Sequence, residues 1–453
     1  MSEKQRSIDM IHGPIWHKML VLAIPIILSS VFQQLFNTAD VAVAGRYISN
    51  QAMAAVGSNA PVISLFINLF VGLSIGVNVM VAAAIARKRF VIVRKAVHTS
   101  ILLAVIIGIV VAVVGIIFAK PLLVIIAAQP DVIDIAAAYL RVFFLGMPFF
   151  MVYNFGSAIL RADGDAARPF YCLIVSSLLN FALDMLFVIV FGWDIEGLAL
   201  ATVIANVLNA VLVIYFMCME HGYLRLEWSM LGLDRPCVAR IVSIGGPAGL
   251  QGTVFSLSNV VIQAAINSFG SAAMAGVSAA LNFEFFAYFI VNGFAQAAVT
   301  FTSQNYATGH LARCRIIFRQ SLIGATVFTA VVAAIFLIFR YPLLHIFSTD
   351  PEVMEYALIR LCVVTGLEMM TAWYEIPGAC LRGMGVSMLP AIETLIGSCV
   401  LRIVYIATLF RAMPDYLMMT CIYPVSWAVT GIMVIGTYFY VRAKVFRTRV
   451  RLV

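Results

Sequence analysis

The sequence predicts an all-α integral membrane protein of twelve transmembrane helices, set in two six-helix lobes related by a pseudo-two-fold axis along the membrane normal. Three observations carry this. Of its 453 residues 63% are hydrophobic and only 11% charged, roughly half the charged fraction of a soluble chain. Apolar runs such as 101–118, 173–190 (broken by Asp184) and 323–339 recur along it. At ~1.5 Å per residue such runs are of the length that crosses a ~30 Å hydrocarbon core, and they lack the dyad alternation of a transmembrane strand. Finally, the chain repeats itself at one nearly constant offset.

Breaks at Gly, Pro and charge clusters divide the chain into helices 15–44, 51–85, 91–126, 131–160, 168–192, 196–219, 236–268, 271–305, 312–346, 351–382, 386–411 and 415–441. Residues 1–14 are polar and lead into a full-length helix with no small-residue cleavage pattern, so no removed leader is expected. The repeat pairs Ala52-Met-Ala-Ala-Val with Ala273-Met-Ala-Gly-Val, Pro130-Asp-Val with Pro351-Glu-Val, and Tyr153 with Tyr374, all 221 residues apart. Leu160-Arg-x-x-Gly-x-x-x-x-Pro169 and Leu381-Arg-x-x-Gly-x-x-x-x-Pro390 keep that spacing, while Pro25/Pro247 and Asn37/Asn259 are 222 apart. The division is an N-lobe of residues 1–219, a linker 220–235 and a C-lobe 236–453 with a basic tail. Parallel repeats of this kind place a substrate path where they meet, and rocking one bundle on the other gives alternating access.

With the N-terminus inside, 22 of the 29 Lys and Arg residues fall on the cytoplasmic side, 6 on the other, and Arg402 inside a helix. Both termini are therefore expected in the cytoplasm of a cell with the chain in its inner or plasma membrane. The net charge of +8 reads as topology and attraction to lipid headgroups, not nucleic-acid binding. The eight scattered cysteines form no CxxC pair and the histidines no ligand spacing, so neither disulfide, metal nor other cofactor is expected. A monomer is expected.

Ionisable residues inside a bilayer are costly and mark function. In the first half these are Asp40 and Asp184. Asp40 shares a helix stripe with Gln33 and Asn37, Asp184 one with Ser177 and Asn180, and Thr202, Asn206 and Asn209 lie at the same helical spacing. The rise per residue puts Asp40, Asp184 and Thr202 roughly 6, 12 and 9 Å below the outer ends of their helices. Three helices thus deliver oxygen-bearing groups to one layer. Two carboxylates in one partly dry cavity cannot both ionise cheaply, so the cluster can take up a proton or hold Na⁺. For Asn206 and Asn209 the plainer reading is interhelical hydrogen bonding. Pro25, below this stripe, removes a backbone bond; it is either a packing kink or a hinge.

The second half is polar at other positions: Asn259, Gln263, Glu284, Glu368, Glu375 and Arg402. Asp40 falls opposite Ile262, and Asp184 opposite Tyr405. Glu368 and Arg402, midway along neighbouring helices, are expected to form a buried ion pair. Glu284 and Glu375 have no obvious cationic partner, so either can face the substrate path with Asn259 and Gln263. An acidic cavity lined by Phe, Met and Tyr favours lipophilic cations.

At these residues the sequence resembles the multidrug and toxic compound extrusion (MATE) family. The matching stretches are Pro25 with Asn37-Thr-Ala-Asp40-Val-Ala-Val-Ala-Gly45, Leu160 to Pro169, Asn180-Phe-Ala-Leu-Asp184 and Gly197-Leu-Ala-Leu-Ala-Thr202. The resemblance implies export of organic cations or drugs in exchange for H⁺ or Na⁺. It also implies an N-lobe ion site at Asp40, Asn180, Asp184 and Thr202 like that of DinF-like members, with Asn154 a further polar position and Pro25 the bending proline. Where NorM-like members carry C-lobe acids, this chain has Phe255 and Thr371. A lipid-linked oligosaccharide flippase should show a cavity rich in Arg and Lys, and Arg402 is the one intramembrane cation expected. A major-facilitator loop motif is absent. A membrane prenyl transferase would need DxxxD motifs, and a nucleotide hydrolase GxxxxGK[ST]; neither occurs, so no enzyme is expected.

Overall fold

The computed structural model describes residues 8–125 and 133–450. Lys4, Arg6, Arg451, Pro130-Asp-Val and the junction of predicted helices 91–126 and 131–160 lie outside or at the edge of these residues. Among the described residues there is no strand. The helices are α1 (Ile15–Val43), α2 (Asn50–Ala86), α3 (Phe90–Ile125), α4 (Ile133–Leu145 and Met147–Ala162), α5 (Ala167–Met185), α6 (Ile195–Cys218), α7 (Arg235–Asn267), α8 (Ser271–Ala307) and α9 (Leu311–Ile338). Then come α10 (Pro351–Arg360 continuing to Ala372–Gly383), α11 (Met388–Thr394 continuing to Leu401–Tyr405) and α12 (Tyr416–Val450). The chain is an all-α membrane protein with the predicted helices in order.

Ten helices among the described residues are long and apolar enough to span a membrane, and the bent α4 makes eleven. The bend of 48° falls at Gly146, with a proline at the start of the next piece, where a missing N–H breaks the ladder. The pieces of α10 hold 10 and 12 residues, joined by π and 3-10 turns, so neither piece alone reaches a span's length. Helix starts follow the sequence. Ser49 accepts from the Ala52 amide at 3.0 Å, Asp194 from Ile195 at 2.8 Å and Asp350 from Glu352 at 2.9 Å, each replacing a helix-end acceptor. The two Leu-Arg-x-x-Gly motifs recur because their glycines, Gly164 (φ 98°) and Gly385 (φ 84°), occupy the left-handed region at the turn after α4 and α10.

The chain folds into two compact units, one built on Leu28–Gly249, the other on Met10–Ile27 together with residues from Leu250 onward. Helices α1 and α7 each divide between the units three residues past an internal proline, Pro25 and Pro247. In the first unit Phe70, Leu140, Phe144, Phe155 and Leu160 are fully buried in one core. There α2 and the start of α7 cross on glycines at i and i+4, Gly72 and Gly76 against Gly245 and Gly249. A Cβ on Gly245 would lie 2.7 Å from Leu73 Cα and O, and one on Gly249 2.5 Å from Leu69 O. Small residues let backbones meet this closely. The second unit repeats the device: Gly293 on α8, 221 residues after Gly72, meets Ala23 and Ile27 on α1, with a Cβ there 3.2 Å from Ala23 O.

The segment after α6 is fastened to the first unit. Tyr223 donates to Asp163 Oδ1 at 2.9 Å, Arg94 pairs with Glu227 at 2.8 Å and Lys95 with Asp234 at 3.0 Å, and the Glu227 amide donates to His98 Nε2 at 3.0 Å. Asp163, outside the spans, is pushed up to about 6, chiefly by burial, with Tyr223 opposing.

Candidate functional site

In the first unit the tertiary fold gathers side chains from α1, α4, α5 and α6. Asp184 on α5 is fully buried and Asn180, one turn earlier, donates to its Oδ2 at 3.4 Å. The carboxyl group of Asp40 on α1 meets that of Asp184 closely enough to share a proton. One oxygen of each, Asp40 Oδ1 and Asp184 Oδ1, is buried and accepts nothing. Such atoms are costly unless something occupies them. Thr202 on α6 donates back to Leu198 O at 3.1 Å, which leaves its lone pairs available. Tyr139 on α4, buried in the core, sets its hydroxyl against Thr202 and faces both carboxylates.

Sequence reasoning did not single out Tyr139. The available signal was a hydroxyl-bearing ring on an otherwise apolar helix. The remaining first-half residues stand apart from the pair. Asn154 donates to Phe150 O at 2.8 Å, one turn back on its own helix. Asn206 lies beside the α4 bend, its Nδ2 3.4 Å from where a Gly146 Cβ would be. Asn209 is buried with its amide oxygen unmatched. Gln33 and Asn37 are exposed on α1, and Pro25 is half-buried within it.

Chemically, the pair can do two things. With a proton between them the carboxyls carry one charge instead of two. Alternatively, Asp40, Asp184, Asn180 and Thr202 are all hard oxygen donors, the ligand type that suits a small hydrated cation. Among the described residues no group of three or more His, Cys, Asp and Glu has metal-site geometry.

The second unit corrects the charge pairing expected from sequence. Glu368 and Arg402 do not form an ion pair; Arg402 instead donates to Ser426 and Asn259. The buried pair is Glu284 with Arg360, Nε to Oε1 at 2.6 Å and Nη2 to Oε2 at 2.9 Å. Arg360, 2% exposed, was expected outside the membrane, so Arg402 is not the only buried arginine of the spans. Glu284 therefore has a cationic partner, and so has Glu375, which meets Arg382 of the repeated motif at 3.3 Å. The reason is rotational: a mid-span depth estimate says how high a residue sits but not which neighbour its helix face meets. Gln263 donates to Asn267 at 3.0 Å on α7.

A family profile matches the chain twice, over residues 25–186 and 247–408. The chain belongs to the MatE family. Its two matches begin 222 residues apart, the spacing of Pro25 and Pro247, so the family unit is the internal repeat itself. MatE membership makes this chain a multi-pass membrane transporter of small molecules, not an enzyme. It is similar to the probable multidrug resistance protein YoeA of Bacillus subtilis (strain 168), 25% identical over 445 residues and 96% of each chain. It is also similar to the probable multidrug resistance protein NorM of Thermotoga maritima, 25% identical over 84% of this chain and 82% of that one. An outward-facing multidrug resistance MATE family transporter of the MOP superfamily has the same fold, with a TM-score of 0.88 over 97% of this chain and 98% of that one at 19% identity.

Proposed function

We propose that this MatE protein is a secondary antiporter of the cell membrane that exports organic cations and drug-like molecules in exchange for H⁺ or Na⁺ by alternating access. The observation that carries the reading is the buried Asp40–Asp184 pair, each acid with an oxygen that accepts nothing. Two adjacent carboxylates in an apolar surround are unstable without a cation between them. A proton or Na⁺ entering down its gradient therefore changes the first unit's energy by several kcal/mol, in the range needed to shift a conformational equilibrium. Asn180, Thr202 and Tyr139 complete the donor set. Pro25 lies on the same helix as Asp40, so cation binding can be felt as bending where α1 lacks a backbone bond. In this reading the lobes are residues 1–219 and 236–453 joined by 220–235, both termini are cytoplasmic, and the monomer works in contact with lipid. The similarity to YoeA and NorM supports drug-like substrates.

The test is efflux of organic cations from proteoliposomes under imposed H⁺ or Na⁺ gradients. Asp184→Asn and Asp40→Asn should each lose gradient-driven efflux by at least about tenfold, roughly 1.4 kcal/mol in rate terms, while remaining folded. Undiminished efflux by both variants would sink the mechanism.

A further inference from the structure

The second unit holds one buried guanidinium whose hydrogen-bonding edge its own residues leave incomplete. Arg402 on α11 is 1% exposed and packs over two rings, 5.0 Å from the Phe255 centroid and 4.9 Å from that of Tyr423. Its Nε donates to Ser426 Oγ at 2.9 Å. Its Nη1 reaches only the neutral Asn259 Oδ1, at 3.2 Å, and its Nη2 has no acceptor at all. The other arginines of this unit's helices provide an internal comparison. Arg360 is held bidentately by Glu284 and Arg382 by Glu375. Glu368, the remaining buried acid nearby, is not within ion-pair distance of Arg402. An arginine placed only to cement helices would be matched as those two are.

The incomplete edge has a defined chemistry. Nη1 and Nη2 of a guanidinium form a planar fork that fits the two oxygens of a carboxylate. A buried charged donor without an acceptor is costly, so an occupant that supplies both oxygens is favoured. The edge is also reachable. Asn259 is exposed and begins a polar stripe on α7 that continues through Gln263 and Asn267 at i+4 and i+8. We infer that Arg402 is a recognition site for the carboxylate of a zwitterionic substrate, which takes Nη1 from Asn259 and fills Nη2. This rests on the organic-cation export reading and deepens it: the substrate class then includes amphipathic amines that also carry an acid.

The test uses two dyes differing at one group, rhodamine 110 (free acid) and rhodamine 123 (its methyl ester), with binding to the purified full chain read by fluorescence anisotropy. Wild type binds both. Asn259→Asp places a competing carboxylate beside Arg402 without leaving a buried charge unmatched, so the fold is not at risk. It should weaken rhodamine 110 about tenfold or more, ~1.4 kcal/mol, and leave rhodamine 123 within about twofold. Arg402→Gln should do the same, and Arg402→Lys should recover little because an ammonium is not a fork. An acid-to-ester affinity ratio that moves less than about threefold in both Asn259→Asp and Arg402→Gln overturns the assignment, as does wild type binding the ester but not the acid. Binding of the acid alone supports the site and counts against the organic-cation reading; binding of neither dye overturns both.

Discussion

Replacing Gly245 by alanine tests the helix crossing that holds the start of α7 in the first unit. The added Cβ would lie 2.7 Å from both Leu73 Cα and Leu73 O, and 3.0 Å from Gly72 O. All three are backbone atoms, so no rotamer change relieves the clash. Contact at ~3.5 Å requires the helices to part by roughly 0.8 Å, which forfeits about a quarter to a half of each dispersion well at the crossing. A few tens of atom pairs at ~0.1–0.2 kcal/mol each then lose about 1–3 kcal/mol, the usual cost of overpacking. Gly246 is the control, because its Cβ would meet only Val242 Cγ1 at 3.7 Å, an ordinary contact. Both substitutions gain the same ~1 kcal/mol of helix propensity, so their difference isolates the steric cost. In detergent, Gly245→Ala should melt about 3 °C or more below Gly246→Ala. Equal melting temperatures would refute the close crossing.

Glu284→Gln should destabilise the second unit by about 3–5 kcal/mol because Arg360 is left buried without a counter-charge. Removing both charges in Glu284→Gln/Arg360→Gln should recover part of that loss in chemical unfolding, and a double variant as weak as the sum of the singles would argue against the pair. Asp163 holds its proton in the fold up to a pH of about 6, against 3.8 for the free group. The folded chain thus binds more protons between these values, and this residue's contribution to stability falls as pH rises through that window. Asp163→Asn should therefore raise the melting temperature at pH 8, by about 1–3 kcal/mol of stability, and leave it unchanged near pH 3. A gain of equal size at both pH values would contradict the assignment.

The helices were legible because the bilayer imposes length and apolarity on each separately, and because Ser49, Asp194 and Asp350 announce their starts. The twofold pattern was legible because Gly164 and Gly385 need the same backbone conformation in the same motif. Which polar groups meet was only partly legible. Asn180 and Asp184 share one helix turn, so their contact follows from spacing alone. Asp40 reaches Asp184 through tertiary packing, and depth estimates bring them to the same layer. The same depth argument failed for Glu368 and Arg402. Equal height does not fix helix rotation, and α10 and α11 carry π turns that shift the facing residues by a fraction of a turn. Tyr139 was missed for a related reason: its hydroxyl matters only once α4 bends and packs against α6.

The two units reuse one scaffold but resolve buried charge in opposite ways, and a charge count shows why that matters. The first unit sets Asp40 against Asp184 with no basic side chain between them, so its resting state requires a cation from outside. The second sets Glu284, Glu368 and Glu375 among Arg360, Arg382 and Arg402, three acids against three bases, and is neutral without one. A neutral unit gains nothing from binding a proton or Na⁺ as such, whereas the guanidinium edge it leaves open gains from binding an acid. Ion dependence is therefore expected to follow substitutions at Asp40 and Asp184 and to be insensitive to those at Arg402, while substrate charge preference should follow the reverse pattern. Symmetric helices thus supply two faces of unlike chemistry, which is what an exchanger of unlike ligands requires.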